Sequence, residues 1–136
     1  MIKVLLADDH AFVRDSLVEL FTASGDVTVV AQCEDGEQVL DAARRTQPDV
    51  VLLDLSMPRV TGLQAARQLL SDDPDTRIVV LTGSLTPALV REAQEIGVVG
   101  YLLKGDDPGA LPDHVRTVAA GGTAWSDAAA TASASG

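Results

Sequence analysis

The sequence predicts an α/β fold with a five-stranded parallel sheet and helices on both of its faces. Short apolar runs bounded by turn residues recur five times, and most are continuous rather than alternating, which is typical of strands buried on both faces. Helical segments lie between them, and a regular alternation of strand and helix favours parallel strands joined by right-handed crossovers. The predicted strands are Ile2–Ala7, Val27–Cys33, Val50–Leu53, Arg77–Leu81 and Val98–Leu103.

The helices are indicated by apolar spacing and by signals at their ends. The first has an apolar stripe made of Val13, Leu17, Leu20 and Phe21. The fourth is the best delimited, because Thr86 can cap it, Pro87 suits its first turn and Gly97 can adopt the left-handed conformation that ends it. The last is preceded by two prolines four residues apart, so we expect its regular part to begin near Pro112 and to end at Gly121.

Size, charge and composition limit the functional class. The 136 residues suffice for one domain with its own core. Twenty acidic and ten basic residues give a net charge of −10, and the basic residues are scattered, which argues against nucleic-acid binding by this chain. The sequence shows neither a charged-then-apolar leader nor an apolar run of about 18 residues, so we expect a soluble cytoplasmic protein that does not enter a membrane.

The domain is predicted to occupy residues 1–122. The remaining residues, 123–136, are small and polar without periodicity, and we expect a linker or a disordered tail there. The one cysteine, Cys33, lies in an apolar run and is predicted to be a buried structural thiol, in keeping with a reducing compartment.

Polar residues directly follow four of the five predicted strands. They are Asp8, Asp9, Asp54, Thr82 and Lys104. Because the carboxyl ends of parallel strands meet at one edge of a sheet, we expect these side chains to share one rim, where ligands bind in such folds. Each could also be purely structural, as a helix cap, a turn residue, a strand residue or a solvated charge. Three carboxylates on one rim, however, repel one another unless a cation joins them.

The rim has the residue types that phosphoryl transfer to a carboxylate requires. Mg²⁺ binds through a few carboxylates together with water and phosphate oxygens. Asp54 ends an otherwise apolar strand that fixes its position, and a carboxylate can attack phosphorus to give an acyl phosphate. Lys104 and the hydroxyl of Thr82 could neutralise charge on the phosphoryl oxygens.

Four stretches, in order along the chain, resemble the receiver domain of two-component response regulators. They are LLADDHAFVRDSL, VVLLDLSMPRVTGLQ, VVLTG and GVVGYLLK, and the resemblance covers about residues 2–122. It implies a flavodoxin-like (βα)5 doubly wound fold. The motifs DDH, GYLLK and AAGGTAWS are most similar to the NarL/FixJ subfamily.

The resemblance implies a role for each matching acid. Asp54 would be the phosphoacceptor, and its phosphoryl group would come from a sensor histidine kinase. Asp8, Asp9 and Asp54 would bind Mg²⁺, and the main-chain carbonyl of Ser56 would complete the protein ligands of the metal.

The resemblance also implies a switch. Thr82 and Lys104 would bind the phosphoryl oxygens, and Tyr101 would turn inward when Thr82 moves toward the phosphoryl group. The surface that changes would be formed by residues 86–121. The alternative for Tyr101 is a plain strand residue with its hydroxyl in water.

The partners follow from the same resemblance. In the NarL/FixJ subfamily the linker leads to a LuxR-type helix-turn-helix domain, which is absent from these 136 residues. DNA would then be bound only through an output domain outside this chain, or the chain is a single-domain regulator with a protein partner. The last two helices permit a homodimer without specifying one.

Two positions depart from the family pattern: Gly105 follows Lys104 where a proline is frequent, and Gly83 follows Thr82 where an alanine is frequent.

Other functions fit the sequence less well. A phosphatase of the haloacid dehalogenase type needs a second acid two residues after its aspartyl nucleophile, and Ser56 stands there. A flavodoxin-like cofactor binder needs a first turn rich in Ser, Thr or Gly, whereas ADDHAF would repel a phosphate. A pseudo-receiver that acts as an interaction module without phosphorylation remains an alternative. His10 and His114 are predicted to bind no metal and to transfer no phosphoryl group.

Overall fold

The computed structural model describes the backbone of residues 1–135 and the side chains of residues 1–132. A parallel sheet with the strand order β2-β1-β3-β4-β5-β6 forms its centre. The strands are β1 (Ile2–Ala7), β2 (Val27–Cys33), β3 (Val50–Leu53), β4 (Ile78–Thr82), β5 (Gly100–Leu103) and β6 (Ala124–Trp125). The helices are α1 (Ala11–Ser24), α2 (Val39–Thr46), α3 (Gly62–Asp72), α4 (Pro87–Ile96), α5 (Leu111–Ala119) and α6 (Asp127–Ser135).

The parallel α/β architecture confirms the predicted fold class. The strands β1, β2 and β3 have the predicted bounds, β4 is displaced by one residue, and β5 begins at Gly100 rather than at Val98. The fourth helix also ends as expected. The Thr86 hydroxyl accepts a hydrogen bond from the backbone N–H of Leu89 at 3.1 Å, and Gly97 has a φ of 109°.

The predicted number of strands is wrong, because a sixth strand follows the predicted domain. The sequence predicts a linker or disordered tail over 123–136, whereas Ala124 and Trp125 pair with Gly100 and Tyr101, and α6 follows. A strand of two residues is too short to show an apolar periodicity, and its position depends instead on how closely its backbone fits against β5. A Cβ on Gly100 would lie 2.5 Å from the carbonyl oxygen of Ala124, so the missing side chain lets β6 approach. Gly136 lies outside the described residues, and the linker role stays a prediction.

Two apolar layers cover the sheet, because successive strand residues point to opposite faces. One layer contains Leu5, Val51, Val80, Val90 and Ala129, and it packs against α2, α3, α4 and α6. The other contains Val4, Leu6, Phe21, Val79 and Val115, and it packs against α1 and α5. None of the helices in the described part of the chain has the length and apolar character that a bilayer-spanning segment needs. The double covering leaves the two ends of the sheet, and not its faces, for polar chemistry.

Candidate functional site

The carboxyl ends of four adjacent strands bring the predicted rim residues together. Asp8 follows β1, Asp54 follows β3, Thr82 ends β4 and Lys104 follows β5. Asp8, Asp54 and Thr82 are buried, and the lysine is partly buried. The backbone holds both acids in place, since Asp54 N–H donates to the Ala7 carbonyl at 2.9 Å and Asp8 N–H donates to the Cys33 carbonyl at 2.9 Å.

Lys104 joins the two buried acids. Its Nζ lies 2.6 Å from Asp8 Oδ2 and 3.0 Å from Asp54 Oδ2. Partial burial acts to lower the pKa of Lys104, but hydrogen bonds and charge attraction from both carboxylates outweigh it, so the pKa is raised above its ordinary value of 10.5. The ammonium group is therefore a fixed positive charge beside Asp54 at neutral pH.

A cluster of oxygen ligands lies beside this lysine. Carboxylate oxygens of Asp8, Asp9 and Asp54 and a ring nitrogen of His10 lie within 4.8 Å of one another. Hard oxygen ligands of this type suit Mg²⁺, and Lys104 offsets only one of the three negative charges. The donor set of the three acids therefore fits the metal.

The imidazole of His10 contacts the carboxylates of both preceding acids, which its position in the sequence alone does not predict. Its Nδ1 is 3.1 Å from Asp8 Oδ1 and 3.0 Å from Asp9 Oδ1, and its backbone N–H donates to Asp8 Oδ1 at 2.8 Å. The guanidinium of Arg14 in α1 donates to the Asp8 main-chain carbonyl, a contact that the sequence analysis missed. Both residues orient the first acid, although the predicted absence of a metal role for His10 remains untested.

The loop after β3 is packed tightly against Asp54. The N–H of Ser56 donates to Asp54 Oδ1 at 3.3 Å, and the N–H of Gly62 donates to the Leu55 carbonyl at 3.2 Å. A Cβ on Gly62 would overlap the carbonyl oxygen of Asp54, which explains the glycine in the stretch VVLLDLSMPRVTGLQ. Arg59 adopts a φ of 62° and pairs with the buried Asp35 at 3.3 Å, and this pairing ties the same loop to the turn after β2.

Hydrogen bonds through Ser84 connect Thr82 with Tyr101. Thr82 Oγ1 accepts the backbone N–H of Ser84 at 3.2 Å, and the Tyr101 hydroxyl donates to the Ser84 carbonyl at 2.6 Å. Tyr101 is fully buried, and this burial raises its pKa to about 12. Its hydroxyl therefore faces protein rather than water. Ser84 acts here through its backbone, which a sequence motif does not reveal.

Cys33 lies at the end of β2, behind the acid cluster. The thiol is buried, as predicted, and burial raises its pKa to about 11. It therefore remains protonated and unreactive at neutral pH.

The sequence matches the family described as the response regulator receiver domain over residues 4–116. This chain belongs to that family. The receiver domain is 42% identical over 120 residues to the uncharacterized transcriptional regulatory protein YxjL of Bacillus subtilis (strain 168), and the match covers 88% of this chain and 55% of YxjL. It is 38% identical over 121 residues to the response regulator GacA of Pseudomonas aeruginosa, which covers 89% of this chain and 56% of GacA. The receiver domain thus spans about half the length of these curated relatives.

Solved structures support the same assignment. A two-component response regulator of the LuxR family from Aurantimonas sp. SI85-9A1 superimposes with a TM-score of 0.92 at 32% identity, covering 98% of this chain and 95% of that one. The signal receiver domain of a regulator assigned as NarL from Mycobacterium tuberculosis gives a TM-score of 0.84 at 33% identity, covering 88% of this chain and 97% of that one. The predicted resemblance to LuxR-type and NarL-type response regulators is confirmed, and the family consists of signalling proteins rather than classical enzymes.

The structure of the receiver domain brings together most of the residues that the sequence singles out. Asp8, Asp9, Asp54 and Lys104 form one charged cluster. Ser56 donates to that cluster through its backbone, and Thr82 and Tyr101 are linked beside it. Their roles in phosphorylation and switching stay predictions.

Proposed function

We propose that this receiver domain accepts a phosphoryl group on Asp54 from a sensor histidine kinase in a reaction that requires Mg²⁺. The observation that carries the proposal is the position of Lys104 Nζ between the buried carboxylates of Asp8 and Asp54, 2.6 and 3.0 Å away. Buried acids with a single shared cation keep an excess of negative charge, which a metal would balance. A purely structural ion pair would not need a third acid, Asp9, at the same place.

The chemistry follows from the positions of these side chains. A carboxylate oxygen of Asp54 forms a bond to phosphorus while the bond from phosphorus to the donor's imidazole nitrogen breaks, and the electron pair of that bond stays on the nitrogen. Lys104 is a fixed ammonium beside Asp54, and it would stabilise negative charge on the phosphoryl oxygens without moving far. The buried β3 strand holds the nucleophile in position, which supplies much of the rate enhancement in phosphoryl transfer.

Asp8, Asp9 and Asp54 are the side chains that would hold the metal, with the main-chain carbonyl of Ser56. Mg²⁺, when bound there, supplies positive charge to the phosphoryl oxygens. His10 and Arg14 keep the first acid in its orientation through contacts with its carboxylate and its carbonyl, respectively.

The switch begins at Thr82. Its hydroxyl would donate to a phosphoryl oxygen, and Tyr101 senses the change through Ser84. The added negative charge and acceptor oxygens give the phosphorylated state contacts that the free state lacks, which is the condition for a shift in population.

The output of the receiver domain is proposed to be transcriptional. Both curated relatives cited here are about twice as long as the match, and one of them is a transcriptional regulatory protein by name. We infer that DNA is bound through a LuxR-type output domain outside these 136 residues. The net charge of −10 disfavours DNA binding by the receiver domain itself, because contacts with phosphates require basic residues.

Intact mass spectrometry after incubation with acetyl phosphate tests the proposal. We expect one added phosphoryl group per chain when Mg²⁺ is present, and none in the presence of EDTA or in Asp54→Asn. Asp41→Asn is the matched control, because Asp41 is an exposed aspartate of α2, and it should be phosphorylated like the wild type.

Beryllium fluoride with Mg²⁺, a stable mimic of a phosphoryl group on a carboxylate, separates a short phosphate lifetime from inactivity. Binding of the mimic without added mass would mean fast hydrolysis. Absence of both the added mass and mimic binding would contradict the proposal and favour a module that works without phosphorylation.

A further inference from the structure

The turn after β2 contacts the loop after β3 beside the acid cluster. We call residues 34–38 the β2 turn and residues 55–61 the β3 loop. A Cβ on Gly36 would overlap the carbonyl oxygen of Val60, so a side chain there would force the two backbones apart. Val60 also packs against the apolar layer in which Met57 of the same loop is buried. The β3 loop therefore contacts the core on one side and the β2 turn on another.

An ion pair fixes the same contact. Arg59 Nη1 lies 3.3 Å from Asp35 Oδ2 and 3.3 Å from Glu37 Oε2. The Asp35 side chain is only 9% exposed, and its other oxygen accepts the N–H of Glu37 at 3.0 Å, whereas the Glu37 side chain is 53% exposed. Water screens a buried charge less than an exposed one, so Asp35 is the stronger of the two anchors for Arg59.

The backbone of Arg59 adopts a conformation that its residue type disfavours. Its φ is 62°, in the left-handed region that glycine and asparagine enter more readily than arginine. Such a conformation persists where the surrounding contacts enforce it. The contacts that do so here are the pair with Asp35 and the close approach of the next residue to Gly36.

The β3 loop also contains the main-chain carbonyl that is proposed to bind the metal. That carbonyl belongs to Ser56, three residues before Arg59. The N–H of Ser56 donates to Asp54 Oδ1 at 3.3 Å, so the first part of the loop is joined to the proposed phosphoacceptor. Mg²⁺ tolerates little deviation from octahedral geometry. The conformation of this loop therefore bears directly on how well the site can bind the metal.

We propose that Asp35 and Arg59 are positioning residues of the metal site, whose ion pair holds the β3 loop in the conformation that places the Ser56 carbonyl for Mg²⁺. Neither residue belongs to the acid cluster itself. Without the pair, Arg59 relaxes toward a negative φ, and the chain that leads back to Ser56 moves with it. The inference rests on the proposed function, because it needs the metal at that site.

Two neutralising variants separate positioning from charge. Asp35→Asn removes a negative charge but keeps an oxygen that can accept the Glu37 N–H. Arg59→Asn removes a positive charge and introduces a residue type that tolerates the left-handed conformation. If the pair acted through charge alone, Arg59→Asn would bind Mg²⁺ more tightly, because a cation near the acids is lost. If the pair positions the loop, both variants bind Mg²⁺ more weakly.

The measurement is a titration of the isotope-labelled chain with Mg²⁺ alone, followed through amide NMR signals and without a phosphoryl donor. We expect the Kd for Mg²⁺ to rise by about tenfold in Asp35→Asn and in Arg59→Asn, the low end of the range for outer partners of metal ligands. The double variant should show the same rise, because either change alone already breaks the pair. Asp41→Asn and Arg45→Asn are the matched controls, since they break an exposed pair of α2, and their Kd should stay within about twofold of the wild type.

Phosphorylation by acetyl phosphate provides a second readout. In Asp35→Asn and Arg59→Asn, the Mg²⁺ concentration that gives half the maximal rate should rise by about tenfold. The rate at saturating Mg²⁺ should stay within about twofold of the wild type, because the metal restores the loop once it is bound. A purely structural role would lower the stability to urea without changing the Mg²⁺ dependence.

The outcomes distinguish this inference from the function on which it rests. If the wild type binds Mg²⁺ and Arg59→Asn binds it more tightly, or if neither variant changes the Kd, the inference is wrong and the proposed function stands. If the wild type binds no Mg²⁺ and acetyl phosphate adds no mass, the proposed function fails and the inference fails with it. Should Asp35→Asn not fold, Arg59→Asn still decides the sign, because the Arg59 side chain is 70% exposed.

Discussion

The two ends of the sheet each hold one cation between two carboxylates, but they differ in their exposure to water. At the carboxyl end Lys104 lies between Asp8 and Asp54, and the three side chains are 23%, 6% and 3% exposed. The arrangement is compact and almost dry, and it belongs to the strand ends where the phosphorylation site is proposed.

At the amino end Arg116 of α5 lies between Asp26 and Asp113, at 2.6 Å from each. These side chains are 38%, 47% and 82% exposed. The hydrogen bond from Arg116 lowers the pKa of Asp26. This pair connects α5 to the start of β2. Exposed pairs of this kind contribute little free energy to folding, because water screens them.

The difference supports a binding role for the carboxyl end of the sheet. The amino end satisfies its charges with local partners and leaves them in water. The carboxyl end buries two acids, adds a third acid nearby, and supplies one ammonium group for all of them. Buried excess negative charge destabilises a fold unless a cation balances it, and this supports the proposed metal site.

Removing the two cations should give the largest contrast. Lys104→Met keeps the length of the side chain but removes the charge that faces the phosphoryl oxygens. We expect phosphorylation by acetyl phosphate to slow by about 100-fold, the typical effect of losing one group that stabilises a developing charge. The measurement is the time course of added mass under saturating Mg²⁺.

Arg116→Met is the control for that prediction, because it removes the cation at the other end. Its phosphorylation rate should equal that of the wild type. An equal loss of rate in both variants would mean that the effect comes from general destabilisation, and the proposed role of Lys104 would be wrong.

Substituting one glycine at each end of the sheet tests how tightly the backbone is packed there. Gly62→Ala would bring a Cβ onto the Asp54 carbonyl oxygen, so we expect a loss of about 2–3 kcal/mol in the free energy of unfolding together with reduced phosphorylation. Gly25 has a φ of 84° with no neighbouring atom within 4 Å of a Cβ, so Gly25→Ala should lose only about 1 kcal/mol from backbone strain. Urea unfolding and intact mass would measure both effects. Normal phosphorylation in Gly62→Ala would show that the loop can shift without moving the acid.

Neutralising one acid at each end should give small effects of opposite sign. In EDTA, Asp9→Asn relieves repulsion among three carboxylates, and we expect the melting temperature to rise by about 1–3 °C. Asp26→Asn removes the partner of Arg116 and should lower the melting temperature. A fall in both variants would mean that the acids at the carboxyl end are already balanced without a metal.

The pH dependence of the free energy of unfolding tests separately whether the Asp26–Arg116 pair stabilises the fold. Its pKa in the folded state lies below the ordinary 3.8, mainly through the hydrogen bond from Arg116, so the ionised carboxylate favours the folded state. This contribution is fully present above pH 3.8 and disappears as the pH falls through the lowered pKa. Asp26→Asn should therefore lose less stability than the wild type between neutral pH and about pH 3, as urea unfolding at each pH would show.

The sequence predicts the strands, the charged rim and the family because each depends on local patterns. Apolar runs define β1, β2 and β3, and the residues after parallel strands necessarily meet at one edge. Thr86 and Gly97 predict the two ends of α4 correctly, because a helix cap and a left-handed glycine depend only on the few residues around them.

The segment formed by β6 and α6 is the part that local patterns do not reveal. Its buried side chains are alanines, Ala129 and Ala132, in a stretch where alanine also occupies exposed positions. Its docking depends on Gly100, a glycine of β5 that no local pattern relates to residues 124–132. The Ser84 contacts and the position of His10 were missed for a similar reason, since backbone carbonyls and ring orientation are set by the folded chain.

The buried thiol of Cys33 gives the receiver domain one internal reporter of opening. Burial raises its pKa to about 11, so the thiol is protonated at pH 7, and it is shielded from reagents as well. Alkylation can therefore proceed only through molecules in which the end of β2 has separated from its neighbours. The Cys33 carbonyl accepts the N–H of Asp8. The rate of Cys33 alkylation therefore reports how often the pairing between the ends of β1 and β2, next to Asp8, opens. Dyes attached to cysteines introduced on the surface would leave this position unlabelled.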